Sequence, residues 1–147
     1  MWGLIAAFVI SIVIVVTSIY YRRKGSKALF AAQPPGAVFG EVDVAGRSTK
    51  NWLTRWGVGR GLRVSVTKEA LVVHPQFPST LSFAPELFDL EHVIPLASVV
   101  SITKANWWLL SRPALAITFE RDGERRSIEL ALRDPGPFLM AMRGEWP

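Results

Sequence analysis

The sequence contains no cysteine and only two histidines, and this scarcity restricts its chemistry. Without cysteine the chain has no disulfide bond and no thiolate metal site. His74 and His92 lack both a His-x-x-x-His spacing and the further ligands that a metal site needs. A nucleophile elbow and paired carboxylates are also absent, and the one glycine-rich stretch precedes a strand instead of a helix. We therefore predict no catalytic residue, no metal site, no cofactor and no enzymatic activity.

Charge is absent from the first part of the chain, because residues 2–21 hold no acidic or basic side chain. Twenty residues form a helix of about 30 Å, which is the thickness of the hydrocarbon core of a bilayer. The aliphatic and phenylalanine side chains in this run favour insertion by about 3 to 7 kcal/mol. We predict one transmembrane helix over residues 2–21, with Trp2, Tyr20 and Tyr21 in the interfacial aromatic belts.

Four basic residues follow this helix directly: Arg22, Arg23, Lys24 and Lys27. They account for most of the net charge of +5, since residues 33–147 hold 13 basic and 12 acidic side chains. This balance argues against nucleic-acid binding. The positive-inside rule places the cluster and the domain after it in the cytoplasm, with the N-terminus outside the plasma or inner membrane. A cleaved signal peptide is the alternative, disfavoured because no basic residue precedes the apolar run.

Small side chains recur every four residues in the predicted membrane helix, at Gly3, Ala7 and Ser11. Such a row permits close approach of a second helix, so self-association into a homo-oligomer is a further hypothesis that the sequence leaves open. The expected partners are the lipid bilayer and another membrane or cytoplasmic protein.

The rest of the chain divides into a linker and a β domain. Residues 22–61 are predicted to be a basic juxtamembrane segment and linker, irregular except for a short strand near residues 51–56. From Leu62 onward, alternation with period two predicts strands. Asp122-Gly123 predicts a hairpin turn, and Asp134-Pro135 suits the start of a helix. We predict a mainly β domain over residues 62–147, a small barrel of six or seven antiparallel strands capped by a C-terminal helix.

Two runs and the Asp-Pro-led helix resemble bacterial pleckstrin-homology-like and GRAM-like domains. The runs are LRVSVTKEALVV at residues 62–73 and VIPLASV at residues 93–99. The resemblance covers about residues 60–143 and implies a barrel of two nearly orthogonal sheets. It further implies a non-catalytic module that binds a protein or a lipid surface, although the first hairpin has too few basic residues for inositide recognition. The alternative function is a structural accessory subunit of a membrane complex, without a ligand of its own.

The segment from Lys104 to Arg112 is a candidate binding loop between two predicted strands. It contains Trp107, Trp108 and Leu109. Neighbouring residues of a strand point to opposite faces, so the two tryptophans cannot share one core. One hypothesis is a loop tip in the membrane interface, where Lys104 and Arg112 contact anionic headgroups. The alternatives are one tryptophan in the core with the other under the linker, or an apolar patch for a protein partner.

Overall fold

The computed structural model of the protein describes residues 2–30, 32–56, 59–82, 84–106 and 112–144. The described helices are α1 (Trp2–Lys24), α2 (Trp52–Trp56), α3 (Ala84–Leu87) and α4 (Pro135–Met142). The described strands are β1 (Phe39–Ser48), β2 (Gly59–Val66), β3 (Ala70–Pro75), β4 (His92–Pro95), β5 (Val99–Ala105), β6 (Ala114–Arg121) and β7 (Glu124–Ala131). Two short 3₁₀ turns lie at Ser79–Leu81 and Leu96–Ser98.

Helix α1 is long and apolar enough to cross a membrane, and no other helix in the described ranges is. Its 23 residues measure about 35 Å at 1.5 Å per residue. Nearly all of its apolar side chains are exposed, whereas the core helix of a soluble domain would bury them. The helix predicted over residues 2–21 is therefore confirmed as a helix, and it continues for three more residues.

The seven strands form one antiparallel sheet in the order β4-β3-β2-β1-β7-β6-β5. The central strand β1 is shared between two halves of this sheet. Its residues 39–46 pair with β2, and its residues 45–48 pair with β7. The register of β1 shifts between Glu41 and Val44, where Asp43 has a φ of 57°. Such a bulge bends a strand, which lets β1 pass from one half of the sheet to the other.

Both halves of the sheet enclose the same hydrophobic core. Val64 and Val73 of the first half belong to one buried cluster with Ile117 and Ile128 of the second. The edge strand β4 also approaches β6, since the rings of His92 and Phe119 lie 5.8 Å apart. The sheet therefore curls around its core, and the mainly β antiparallel architecture predicted from the sequence is confirmed.

Helix α4 packs on this core, as predicted. The side chain of Asp134 accepts a hydrogen bond from the Gly136 N–H at 3.1 Å, which caps the helix. Phe138 is fully buried and meets Phe39 of β1 edge to face, with ring centroids 5.5 Å apart.

The prediction for the segment before Leu62 is wrong in two respects. The β domain begins near Phe39, because β1 is the central strand of the sheet and not part of a linker that extends to residue 61. Residues 52–56 form the helix α2 instead of a short strand. The Asn51 side chain accepts the Thr54 N–H at 2.8 Å, which is the geometry of a helix N-cap.

Candidate functional site

The last turns of α1 are packed against the sheet domain. After α1, Ser26 takes a left-handed conformation, with φ 55°. The N–H groups of Ser26 and Lys27 donate to the carbonyls of Arg23 and Arg22, at 3.2 and 2.8 Å. This pattern is a Schellman motif, and it turns the chain back beside the helix.

The guanidinium of Arg22 is buried in this contact, with a side-chain exposure of only 1%. Its Nη1 donates to Glu86 Oε1 at 2.7 Å. Its Nη2 donates to the Ala28 carbonyl at 3.0 Å and lies 3.5 Å from Glu91 Oε2. A buried charge is costly unless it is paired and hydrogen-bonded, so these acceptors hold the end of α1 on the domain.

Glu91 lies at the centre of the same cluster, and each of its carboxylate oxygens has a basic partner. Lys27 Nζ lies 3.2 Å from Oε2, and His74 Nε2 lies 3.1 Å from Oε1. Burial by itself would raise the pKa of Glu91. The hydrogen bond from His74 and the charges of His74, Lys27 and Arg22 outweigh burial and lower the pKa to about 2. Glu91 is therefore ionised at every physiological pH.

His74 faces an acceptor at both ring nitrogens. Nε2 meets the Glu91 carboxylate, and Nδ1 lies 2.8 Å from the Pro75 carbonyl. Both hydrogen bonds form only when both nitrogens carry a proton. The hydrogen bond to Glu91 accordingly raises the pKa of His74, by more than burial and the Arg22 charge lower it.

A second group of contacts involves hydroxyl groups. Ser18 Oγ lies 3.2 Å from the Thr80 carbonyl oxygen and 3.3 Å from that of Ser82. Thr80 Oγ1 donates to the Leu29 carbonyl at 2.9 Å, and Thr80 is fully buried. We term the complete contact the α1 junction. It consists of Ser18, Arg22, Lys27, His74, Thr80, Glu86 and Glu91.

The α1 junction is suited to holding two parts of the protein together. Its acidic side chains are all paired with basic ones. Among the residues that the structure describes, no group of three acidic or histidine side chains could hold a metal ion. The arrangement fixes the orientation of the sheet domain relative to α1.

Neither a scan against protein-family models nor a search of curated proteins gives a match to this chain. The functional argument therefore depends on the geometry of the chain itself.

The structure separates the predicted membrane-interface residues into two groups. Trp2, Tyr20 and Tyr21 are exposed on α1, and so are Arg23 and Lys24 after them. Arg22 and Lys27 instead belong to the α1 junction. The acidic partners of these two residues were not predicted. One signal was present, since a serine four residues before an arginine gives an apolar helix a polar face.

Only part of the predicted binding loop lies within the described residues. Trp107, Trp108 and Leu109 lie outside the described residues, so the interpretation of this loop stays a prediction. Lys104 is exposed in β5. Arg112 Nη1 donates to the carbonyl of Asp43, in the bulge of β1, at 3.2 Å.

A shallow polar pocket of about 200 Å³ lies elsewhere on the domain. Its lining residues are Thr49, Lys50, Thr118, Glu124, Arg125, Arg126 and Ser127. Arg126 is paired with Glu124 at 3.3 Å, and Arg125 with Glu120 at 3.6 Å. Ligand pockets are usually lined mostly by apolar side chains, so this open polar site is a weaker candidate than the α1 junction.

Replacing Glu91 with glutamine is expected to lower the pKa of His74. The substitution removes the carboxylate that raises this pKa, while burial and the Arg22 charge still lower it. NMR titration of the histidine ring signals measures the shift. His92 is the internal control, because its pKa does not depend on Glu91. Burial lowers the pKa of His92 by more than Asp89 raises it. An unchanged His74 pKa in the Glu91→Gln variant would contradict the proposed hydrogen bond.

The raised pKa of His74 and the lowered pKa of Glu91 set the pH range in which the α1 junction is most stable. The His74 contribution is complete below its ordinary pKa of 6.5 and is lost as the pH rises through its raised value in the folded protein. The Glu91 contribution is complete above its ordinary pKa of 4.5 and is lost as the pH falls towards about 2. The junction is therefore expected to be strongest between pH 4.5 and 6.5.

Proposed function

We propose that this chain is a single-pass membrane protein that holds a non-catalytic, pleckstrin-homology-like binding module at the cytoplasmic face of the plasma or inner membrane. The exposed apolar surface of α1 supports the membrane location, because water is an unfavourable environment for it. The exposed Arg23 and Lys24 at its end support a cytoplasmic domain through the positive-inside rule.

The burial of Arg22 is the observation that most strongly supports a permanent membrane helix. Cleavage of a signal peptide after Arg22 would remove both Ser18 and Arg22 from the α1 junction. Glu86 and Glu91 would then lose the guanidinium that lies between them. A helix with polar contacts to the folded domain is better explained as a permanent part of the protein, and such contacts keep the module in a fixed orientation at the membrane.

The order of elements supports the pleckstrin-homology-like description. A curled antiparallel sheet of seven strands is followed by a C-terminal helix that packs on its core. This order agrees with the architecture implied by the resemblance of residues 60–143. Many unrelated functions share such folds, so the proposal of a binding module depends on the membrane attachment as well.

Topology is tested with single cysteines, because the natural chain has none. Asp122→Cys places a thiol on the β6–β7 turn, where Asp122 is 83% exposed. A membrane-impermeant maleimide is expected to label this variant only after the inner membrane is permeabilised. Trp2→Cys lies at the end of α1 that is remote from the sheet domain, and it is expected to react with the same maleimide in intact cells. Labelling of Asp122→Cys in intact cells, or an intact mass that lacks the apolar run, would overturn the proposal.

The alternative function is a structural accessory subunit of a membrane complex. The polar contacts of Ser18 and Arg22 with the domain favour it, because a rigid unit is suited to fixed assembly. Size-exclusion chromatography after mild detergent extraction separates the two functions. An accessory subunit elutes with its partners in fixed stoichiometry, and its deletion lowers their amount. A binding module elutes mainly alone.

A further inference from the structure

Two phenylalanines beside the α1 junction are stacked on each other and left open on the surface. The rings of Phe30 and Phe77 are 5.2 Å apart, with an interplanar angle of 28°. Phe30 is 69% exposed and Phe77 is 52% exposed. We refer to them as the aromatic pair. Phenylalanine side chains usually contribute to a core, so an exposed stacked pair indicates a surface that another apolar phase covers.

The aromatic pair is tied to the end of α1 through short connections. Phe30 follows Leu29, whose carbonyl accepts the hydrogen bond of Thr80. Phe77 lies three residues before Thr80, and the Thr80 carbonyl meets Ser18 of α1. The pair is therefore fixed next to the point where α1 leaves the domain.

The length of α1 determines how deep in the membrane the contact between Ser18 and Thr80 lies. The helix from Trp2 to Ser18 has 17 residues and measures about 25 Å, which is the lower limit for crossing a hydrocarbon core. If Trp2 occupies the far interface, Ser18 lies at the near boundary of the hydrocarbon. Thr80, which contacts Ser18, must then lie at the level of the headgroups. Its hydroxyl and carbonyl groups are both hydrogen-bonded within the protein, as a poorly hydrated position requires.

Basic groups lie close to the aromatic pair, either along the chain or through hydrogen bonds. Arg23 and Lys24 are exposed at the end of α1. Arg112 donates to the Asp43 carbonyl. The N–H of Asp43 in turn lies 3.4 Å from Oε1 of Gln76, which is the residue before Phe77. An apolar pair near several cations matches the boundary between acyl chains and anionic headgroups.

We propose that the aromatic pair inserts into the lipid of the membrane that α1 spans, at the headgroup boundary, and so adds a second point of contact between the domain and the bilayer. This inference depends on the proposed function, because it requires α1 to cross the membrane.

The test measures depth in the full-length chain. Phe77→Cys is labelled with a nitroxide and reconstituted in vesicles of phosphatidylcholine and phosphatidylglycerol. Relaxation by oxygen, which concentrates in the bilayer, is compared with relaxation by a water-soluble nickel chelate. We expect the ratio of oxygen to nickel accessibility at residue 77 to exceed that of labelled Asp122→Cys severalfold. Labelled Phe30→Cys is expected to behave like Phe77→Cys.

Labelled Ile10→Cys, in the middle of α1, separates this inference from the proposed function. A deep label at residue 10 together with a water-exposed label at residue 77 would overturn the lipid contact and leave the membrane anchor intact. A water-exposed label at residue 10 would overturn both. A label at residue 77 that neither reagent reaches would show that a second copy or another protein covers the aromatic pair, and this result also overturns the lipid contact.

Discussion

Replacing Arg22 with methionine is expected to release α1 from the sheet domain. Methionine keeps the length and apolar volume of the side chain but removes the guanidinium that lies between Glu86 and Glu91. Removing one partner of a fully buried ion pair costs about 3 to 5 kcal/mol. The loss is expected to be smaller here, about 1 to 3 kcal/mol, because Glu86 is 32% exposed and Glu91 keeps Lys27 and His74.

Arg23→Met is the matched control for Arg22→Met. Both variants remove one positive charge from the same basic cluster, so their effects on membrane topology should be equal. Only Arg22 is buried, whereas Arg23 is exposed. Thermal unfolding in detergent and protease cleavage of residues 25–38 are the two measurements. Arg22→Met is expected to unfold at a lower temperature and to be cleaved faster, and Arg23→Met to resemble the natural protein. Equal behaviour of the two variants would show that the burial and pairing of Arg22 contribute nothing to stability.

A double variant identifies the cause of the loss. Adding Glu86→Gln to Arg22→Met removes a carboxylate that would otherwise have no guanidinium partner. The double variant should therefore be less destabilised than the sum of the two single variants. Additive losses would mean that Arg22 contributes through packing and not through its ion pair with Glu86.

The α1 junction illustrates what the sequence could not reveal. The basic cluster at the end of α1 was evident from local composition. Its acidic partners lie 64 and 69 residues away from Arg22 along the chain. No local pattern connects such positions, because the contact exists only once β3 and β4 have paired and the segment between them has folded.

The sheet was predictable where local chemistry determines it. Alternating side chains identified β2, and the turn at Asp122-Gly123 joined β6 and β7, with both residues at positive φ. Strand β1 was missed for a physical reason. Val42 and Val44 have the same parity and would normally share a face, but the bulge at Asp43 leaves Val42 46% exposed while Val44 is fully buried. The bulge that bends the strand also interrupts the alternation of buried and exposed side chains along it.

The second large effect is expected at Val44, where an aspartate should abolish folding of the sheet domain. Val44 is fully buried in the central strand, among side chains that offer a carboxylate no partner. Burying an unpaired charge costs several kcal/mol or forces the group to take up a proton. A domain of this size is stable by only about 5 to 15 kcal/mol, so the variant has little margin.

Val42→Asp is the matched control, because it places the same charge two residues away in the same strand. Val42 is half-exposed, so a carboxylate there stays hydrated, and surface substitutions usually change stability by no more than about 0.5 kcal/mol. Near-UV circular dichroism and thermal unfolding in detergent compare the two variants. Val44→Asp is expected to lose the near-UV signal and the cooperative transition, while Val42→Asp keeps both. If Val44→Asp unfolds like the natural protein, β1 is not the strand that joins the two halves of the sheet, and the domain would have to begin at Leu62 after all.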